Sequence, residues 1–358
     1  MSIGSPLLFT LAFAADARAL LEERWVAYKA AYISEDGRVI DYRNGSITTS
    51  EGQAYAVVRA LWMDDRAAFD RSLTWTAANL QGGDPGQLPA WKWGESADGW
   101  RVLDGEPASD ADQLIAWALL GATRKWGDER YAAQARLLID RIWVEEVEEV
   151  AGAPVLLPGR WARGGDTVRL NPSYILPFVW RDFARVDLAH PWEKLLDRGY
   201  SLLKACRGAT GLAMDWCTLD RASGEVVASP VEGHDAFGFE AMRVPWMLAA
   251  EVMWHQEPRA RELLGPYQKL LATPPESTRI AGTIRADGKP AVDWEYPGAY
   301  GALLPVWSLR RPRAAQRVRE VRLDGLLAEH GWGDRDDYYG QNWIWFGLAL
   351  SQLKEMPA

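Results

Sequence analysis

Apolar residues recur at i, i+3, i+4 and i+7 through almost the whole chain, a period near 3.6 that marks helices burying one face. The segments lie near 14–31, 51–64, 66–80, 110–126, 128–144 and 172–186, and again near 191–207, 235–254, 257–272, 295–308, 312–330 and 338–354. Gly, Pro, Asp and Asn gather between them, as helix ends require. Twelve helices taken as six consecutive pairs fit an all-α (α/α)6 barrel, a closed toroid of six helical hairpins. An irregular helical array is the alternative. No sequence identity between the pairs is visible, which argues against a repeat array. Val155 to Leu157, Val168 to Leu170 and Glu225 to Ala228 read as short β-hairpins in loops. The loops around 81–108 and 145–171 are long, and long loops usually carry function.

Charge and cysteine usage narrow the class. The 358 residues carry 40 Lys plus Arg against 49 Asp plus Glu, a net charge of -9, so no basic stripe is available for nucleic acid or for an acidic membrane surface. No stretch reaches the roughly 18 to 20 apolar residues of a membrane span, and no membrane insertion is expected. Without a linker or a composition shift, residues 23–354 read as one domain. Residues 1–22 contain LLFTLAFAADA, which has the length of a signal h-region but no preceding Lys or Arg. An export-signal remnant and the lead-in to the first helix are both open, and the first would make the protein periplasmic or secreted. Cys206 and Cys217 form no CxxC pattern and support neither a metal site nor a disulfide framework. His190, His234, His255 and His330 are scattered, so no metal and no cofactor are expected.

Tryptophan is in excess: 20 residues, where a chain of this size ordinarily holds roughly a quarter to a third as many. Core packing is the larger expected use, and stacking on sugar rings the other. Four constellations add chemistry. Ser50 and Gln53 have the spacing of a capping box, placing Glu51 in the first turn of a helix, where the dipole favours a carboxylate. Ser109 and Asp112 can pair the same way, leaving Asp110 spare. If both helices run in the same sense, Glu51 and Asp110 share one rim of a toroid. Glu240 and Arg243 stand three apart, the spacing of an ion pair on a helix. Trp91 and Trp93, in LPAWKWG, point the same way if that loop is extended. Each also has a plain reading, as a solvated first-turn acid, a surface pair or a buried loop anchor.

Together these segments resemble glycoside hydrolase family 8, and most closely the endoglucanases encoded with bacterial cellulose synthesis. The likeness runs from about residue 23 to 352. It includes SEGQAY at 50–55, FDRSLTWTAANL at 69–80, LPAWKWG at 88–94, ASDADQLIAWALL at 108–120, LLPG at 156–159 and NPSY at 171–174. MDW at 214–216, EAMRVPW at 240–246 and DDYYGQNWIWFGLAL at 336–350 follow in order. The resemblance implies an (α/α)6 barrel that cleaves β-1,4-glucan internally with inversion and without a metal in the chemistry. It assigns Glu51 as general acid, Asp110 as the residue holding the sugar beside the scissile bond, and Tyr174 as the tyrosine that helps place the water. Trp91 becomes a stacking platform, and Arg243 and Tyr339 line the cleft. The base position departs from the pattern: the family has Asp-Ala-x-Arg-Val-Pro and this chain has Glu240. A methylene of extra length moves the water by an ångström or so, a displacement that can cost ~100-fold. Asp235 is the second candidate, as base or as a cleft residue. The implied partner is a polysaccharide, with association with the exopolysaccharide synthesis machinery and a monomeric state as further expectations. Chitosan or xylan as substrate, or glycan binding without turnover, are the alternatives.

Overall fold

The computed structural model describes residues 6–357. In chain order its helices are α1 (Pro6–Tyr32), α2 (Ser50–Trp62), α3 (Arg66–Leu80), α4 (Ser109–Trp126), α5 (Glu129–Glu146), α6 (Pro177–Val186) and α7 (Trp192–Ala205). α8 (Arg243–His255), α9 (Pro258–Leu263), α10 (Gly265–Gln268), α11 (Pro297–Ser308), α12 (Pro312–Arg322) and α13 (Tyr338–Leu353) complete the set. α2, α4, α6, α8, α11 and α13 are buried over most of their length, and each touches the next. The ring closes between α13 and α2, where Arg59 Nη1 donates to Asn342 Oδ1 at 3.0 Å and Tyr55 meets Trp343 edge-on. The remaining helices pack outside, α1 against α13 across the chain ends. This is the (α/α)6 barrel that the periodicity predicts.

The two ends of the barrel are built differently. Inner helices pass to outer ones through links of only two to five residues. Three of these links share one device: a residue in left-handed conformation ends the inner helix, and the acid after it caps the outer. The pairs are Asp64 and Asp65, Gly127 and Asp128, and Gln256 and Glu257. Those side chains accept from the Ala68, Arg130 and Arg259 N–H groups, which have no partner inside their helices. The outer-to-inner connections are long, at 33–49, 81–108, 147–176, 206–242, 269–296 and 323–337, and all therefore lie at the end where the inner helices begin.

Short antiparallel strands stiffen these connections: β1 (Thr48–Thr49), β2 (Lys92–Ser96), β3 (Gly99–Asp104), β4 (Val147–Val150), β5 (Ala153–Leu156), β6 (Thr167–Leu170), β7 (Cys217–Asp220), β8 (Val226–Val227), β9 (Leu327–Ala328) and β10 (Gly331–Trp332). The hairpin β2–β3 occupies a connection with no alternating pattern in the sequence. Elsewhere the sequence overextends helices. The segment at 235–254 becomes helical only at Arg243, that at 172–186 only at Pro177, and that at 312–330 stops at Arg322, while 257–272 divides into α9 and α10. Residues 6–22 of the N-terminal segment belong to α1, and 1–5 lie outside the described residues. The cysteines correct another expectation: Cys206 and Cys217 form a disulfide with Cα atoms 5.7 Å apart. Their spacing of eleven is uninformative until the turn at 207–213 brings the ends together.

Eleven of the 20 tryptophans are buried. Trp62, Trp117, Trp246, Trp254, Trp343 and Phe346 fill the inside of the ring with mostly edge-on contacts, so the barrel has a packed interior. The closest approach is between α11 and α13, where a Cβ on Gly347 would fall 1.8 Å from the Gly301 carbonyl oxygen. Gly347→Ala is therefore expected to lower stability by about 1–3 kcal/mol in chemical denaturation, as overpacked cores do. Gly265→Ala, with nothing within 4 Å, is expected to change it little.

Candidate active site

The N-termini of the inner helices meet at one rim, and their dipoles favour negative charge there. Glu51 is the second residue of α2, Asp110 the second of α4, and Arg243 the first of α8. The Arg243 side chain is 1% exposed and gathers three carboxylates. Its Nη1 donates to Glu51 Oε2 at 2.8 Å and to Asp110 Oδ2 at 2.7 Å, and its Nη2 donates to Glu240 Oε2. Tyr55 OH stands 3.4 Å from the same Nη1, and the Tyr174 ring lies 5.2 Å from the guanidinium carbon. Glu51, Asp110, Glu240, Arg243 and Tyr174 thus come together from four separate segments of chain.

Local chemistry holds each piece. Thr49, not Ser50, caps α2, accepting from Gly52 N at 3.0 Å, and Ser50 Oγ makes no hydrogen bond. Gln53 instead crosses to the Val39 N–H and to Thr76 Oγ1, so the capping box read from the spacing does not form. Nor does the pair at α4: Ala108 is its cap residue, and Asp112 faces Glu146. Both are fully buried, and burial pushes both carboxyls well above the usual range, so each favours the proton-bearing form. Asp110 Oδ1 accepts from the first-turn Ala111 N at 2.9 Å, and its Oδ2 meets Arg243. Glu240 lies in the turn before α8, so its pairing with Arg243 is not a helix-surface contact. Asn171 Nδ2 donates to Glu240 Oε2 at 2.8 Å, its orientation set by Ser173 N and Oγ, both of which donate to Asn171 Oδ1.

The surroundings shift the acids. Burial pushes the Glu51 carboxyl up to about 8, against the pull of Arg243 and with help from Asp110 and Glu240. Asp110 is raised by burial as well. Tyr338 stands over Glu51, its OH 3.4 Å from Oε1 and 3.1 Å from Thr49 Oγ1. Beneath the cluster a cavity of about 30 Å³, lined by Tyr55, Asp110, Leu114, Arg243 and Trp246, has room for about one water. Anything much larger than a water is therefore confined to the rim.

The other sequence-identified residues make no hydrogen bond to Arg243. Trp91 is joined to the start of α2 by Ser50 N, which donates to its carbonyl at 3.0 Å, so it sits beside Glu51. Trp93 does not share this role: it packs edge-on to Trp75 and stacks on Trp100, with Arg38 over its ring. Tyr339 OH donates to the Phe239 carbonyl at 2.8 Å, tying α13 to the turn that carries Glu240. Asp235 is exposed and lies outside the Arg243 cluster. Sequence reasoning leaves Tyr55, Asn171, Asp215 and Tyr338 without roles, although each falls within or beside a quoted motif. It also misses two aromatic groups: Trp161 and Trp216 around Arg169, and Phe239, Trp294 and Tyr296 beside a cavity of about 400 Å³.

Removing the buried cation leaves three acidic side chains facing one another without a counter-charge. Arg243→Ala is expected to lower stability by about 3–5 kcal/mol at pH 7, measured by denaturant unfolding. The loss should be smaller at pH 5, where the uncompensated acids take up protons more readily in the folded chain.

The model of the family described as glycosyl hydrolases family 8 matches residues 2–307. An endoglucanase of Escherichia coli is 37% identical over 340 residues, covering 92% of this chain and 86% of its own. One of Xanthomonas axonopodis is 35% identical, covering 89% and 84%. Among solved structures, an endo-1,4-D-glucanase of Vibrio fischeri superposes with a TM-score of 0.81 at 32% identity, over 92% of this chain and 94% of that one. A family 8 endoglucanase of Klebsiella pneumoniae gives 0.75 at 29%, over 92% and 99%. Matched across most of its length by the family and nearly end to end by these relatives, the chain belongs to glycosyl hydrolase family 8 and is a glycoside hydrolase.

Proposed function

We propose that the protein is an inverting endo-β-1,4-glucanase in which Glu51 is the general acid, Glu240 the general base and Asp110 the anchor for the sugar at the scissile bond. The observation that carries this reading is the single buried guanidinium holding all three carboxylates at one rim. With its carboxyl raised to about 8, Glu51 carries a proton at neutral pH and can give it to the glycosidic oxygen as the bond to the anomeric carbon breaks. Arg243, already in contact, then meets the new carboxylate. Glu240 uses Oε2 for Arg243 and Asn171, leaving Oε1 to take a proton from the attacking water. A proton donor and a proton acceptor at one site are the division of labour that inversion requires. The relatives named endoglucanases and the endo-1,4-D-glucanase structure support a β-1,4-glucan of the cellulose type as substrate.

The Cys206–Cys217 disulfide supports a periplasmic or secreted location, because such bonds persist in oxidising compartments. Among the described residues no helix is long and apolar enough to cross a membrane.

Reducing-end release from carboxymethyl cellulose, with chitosan and xylan in parallel, tests the assignment. Glu51→Gln and Glu240→Gln are each expected to lower kcat by about 10²- to 10⁴-fold. Because the acid must hold its proton, kcat/KM of the wild type should fall as pH rises through about 8. An active Glu240→Gln beside an inactive Asp235→Asn would move the base role to Asp235, and turnover of chitosan or xylan alone would replace the substrate.

A further inference from the structure

Glu240 lies in a turn, and a turn does not by itself hold a carboxylate to the fraction of an ångström that proton transfer requires. Its backbone is nevertheless fixed. Asp215 Oδ1 accepts from three backbone donors of that turn, Gly238 N at 3.0 Å, Glu240 N at 3.1 Å and Ala241 N at 2.7 Å. Gly238 permits this approach, since a Cβ there would fall 2.4 Å from Asp215 Oδ2. The segment bearing Asp215 is itself held: Asp215 N and Trp216 N donate to the Ala236 and His234 carbonyls, and Cys217 is bonded to Cys206. In the β6–β7 ladder Leu170 pairs with Cys217, so Asn171 and Asp215 emerge at the same end of the two strands. Asn171 grips the Glu240 carboxylate, while Asp215 grips its main chain.

We propose that Asp215 is the positioning residue for the base: its carboxylate binds the 238–241 turn and thereby sets where the Glu240 carboxylate stands. Asp215 makes no hydrogen bond to the acid, Glu51, and acts on the reaction only through Glu240. The inference rests on Glu240 being the base. An acceptor oxygen is what the turn needs, so asparagine should replace aspartate and alanine should not, as at helix N-caps.

The experiment compares Asp215→Ala, Asp215→Asn and Glu240→Gln by steady-state kinetics on carboxymethyl cellulose and by cello-oligosaccharide binding. Asp215→Ala is expected to lose about 100-fold in kcat, with KM and oligosaccharide affinity held within about twofold. Asp215→Asn should recover kcat to within about fivefold of wild type. Wild-type kcat in Asp215→Ala, equal losses in the alanine and asparagine variants, or a parallel loss of affinity would each overturn the proposal while leaving Glu240 as base. An active Glu240→Gln would overturn both. If Asp215→Ala does not fold, Gly238→Ala, which crowds the same turn against Asp215, replaces it with the same expected split between kcat and KM.

Discussion

One buried cation organises the working end of this molecule. Arg243 is as deeply buried as the apolar core, and a charge in that position is tolerable only when its donors are met. Glu51, Asp110 and Glu240 meet them, each from a different connection or helix start. A surface ion pair would contribute almost nothing to such an arrangement. Here the pairing fixes three acids relative to one another, and burial leaves Glu51 holding a proton while Arg243 waits to receive its conjugate base.

The barrel supplies this arrangement through the asymmetry of its ends. The links at one end are tight, three of them closed by a left-handed residue and an acidic cap, and every long connection is thereby placed at the other. Among the described residues, the large aromatics that face solvent, Tyr42, Trp100, Trp161, Phe239 and Trp294, lie on those connections. Exposed rings of this size are costly unless something covers them, and a row of sugar rings would do so. The aromatic interior closes the floor below the carboxylates, and on the proposed reading the polymer lies across the rim.

The 3.6-residue period made the ring of helices legible, because the six inner helices are buried over most of their length and the outer ones bury one face. Where helices begin was less legible. Residues 235–242 carry a helix-like pattern, yet Asp215 takes the backbone donors of that stretch and holds it as a turn until Arg243. Ser50 and Gln53 show the limit of spacing rules: Thr49 is better placed to cap, and Gln53 is drawn to unpaired groups of the 37–39 turn. The acids Glu51 and Asp110 were readable as spare first-turn carboxylates at one rim. Asn171 and Asp215 were not, since their parts depend on the β6–β7 ladder bringing distant segments to the same edge.

In the proposed mechanism Glu51 and Glu240 act on opposite sides of the sugar, one protonating the leaving oxygen and one activating water. Following the new reducing end by proton NMR during the first minutes of cello-oligosaccharide cleavage tests this most directly. Appearance of the α-anomer ahead of mutarotation is the predicted result. Initial formation of the β-anomer would show retention and a covalent intermediate, and would contradict the assignment of Glu240 as a base acting through water.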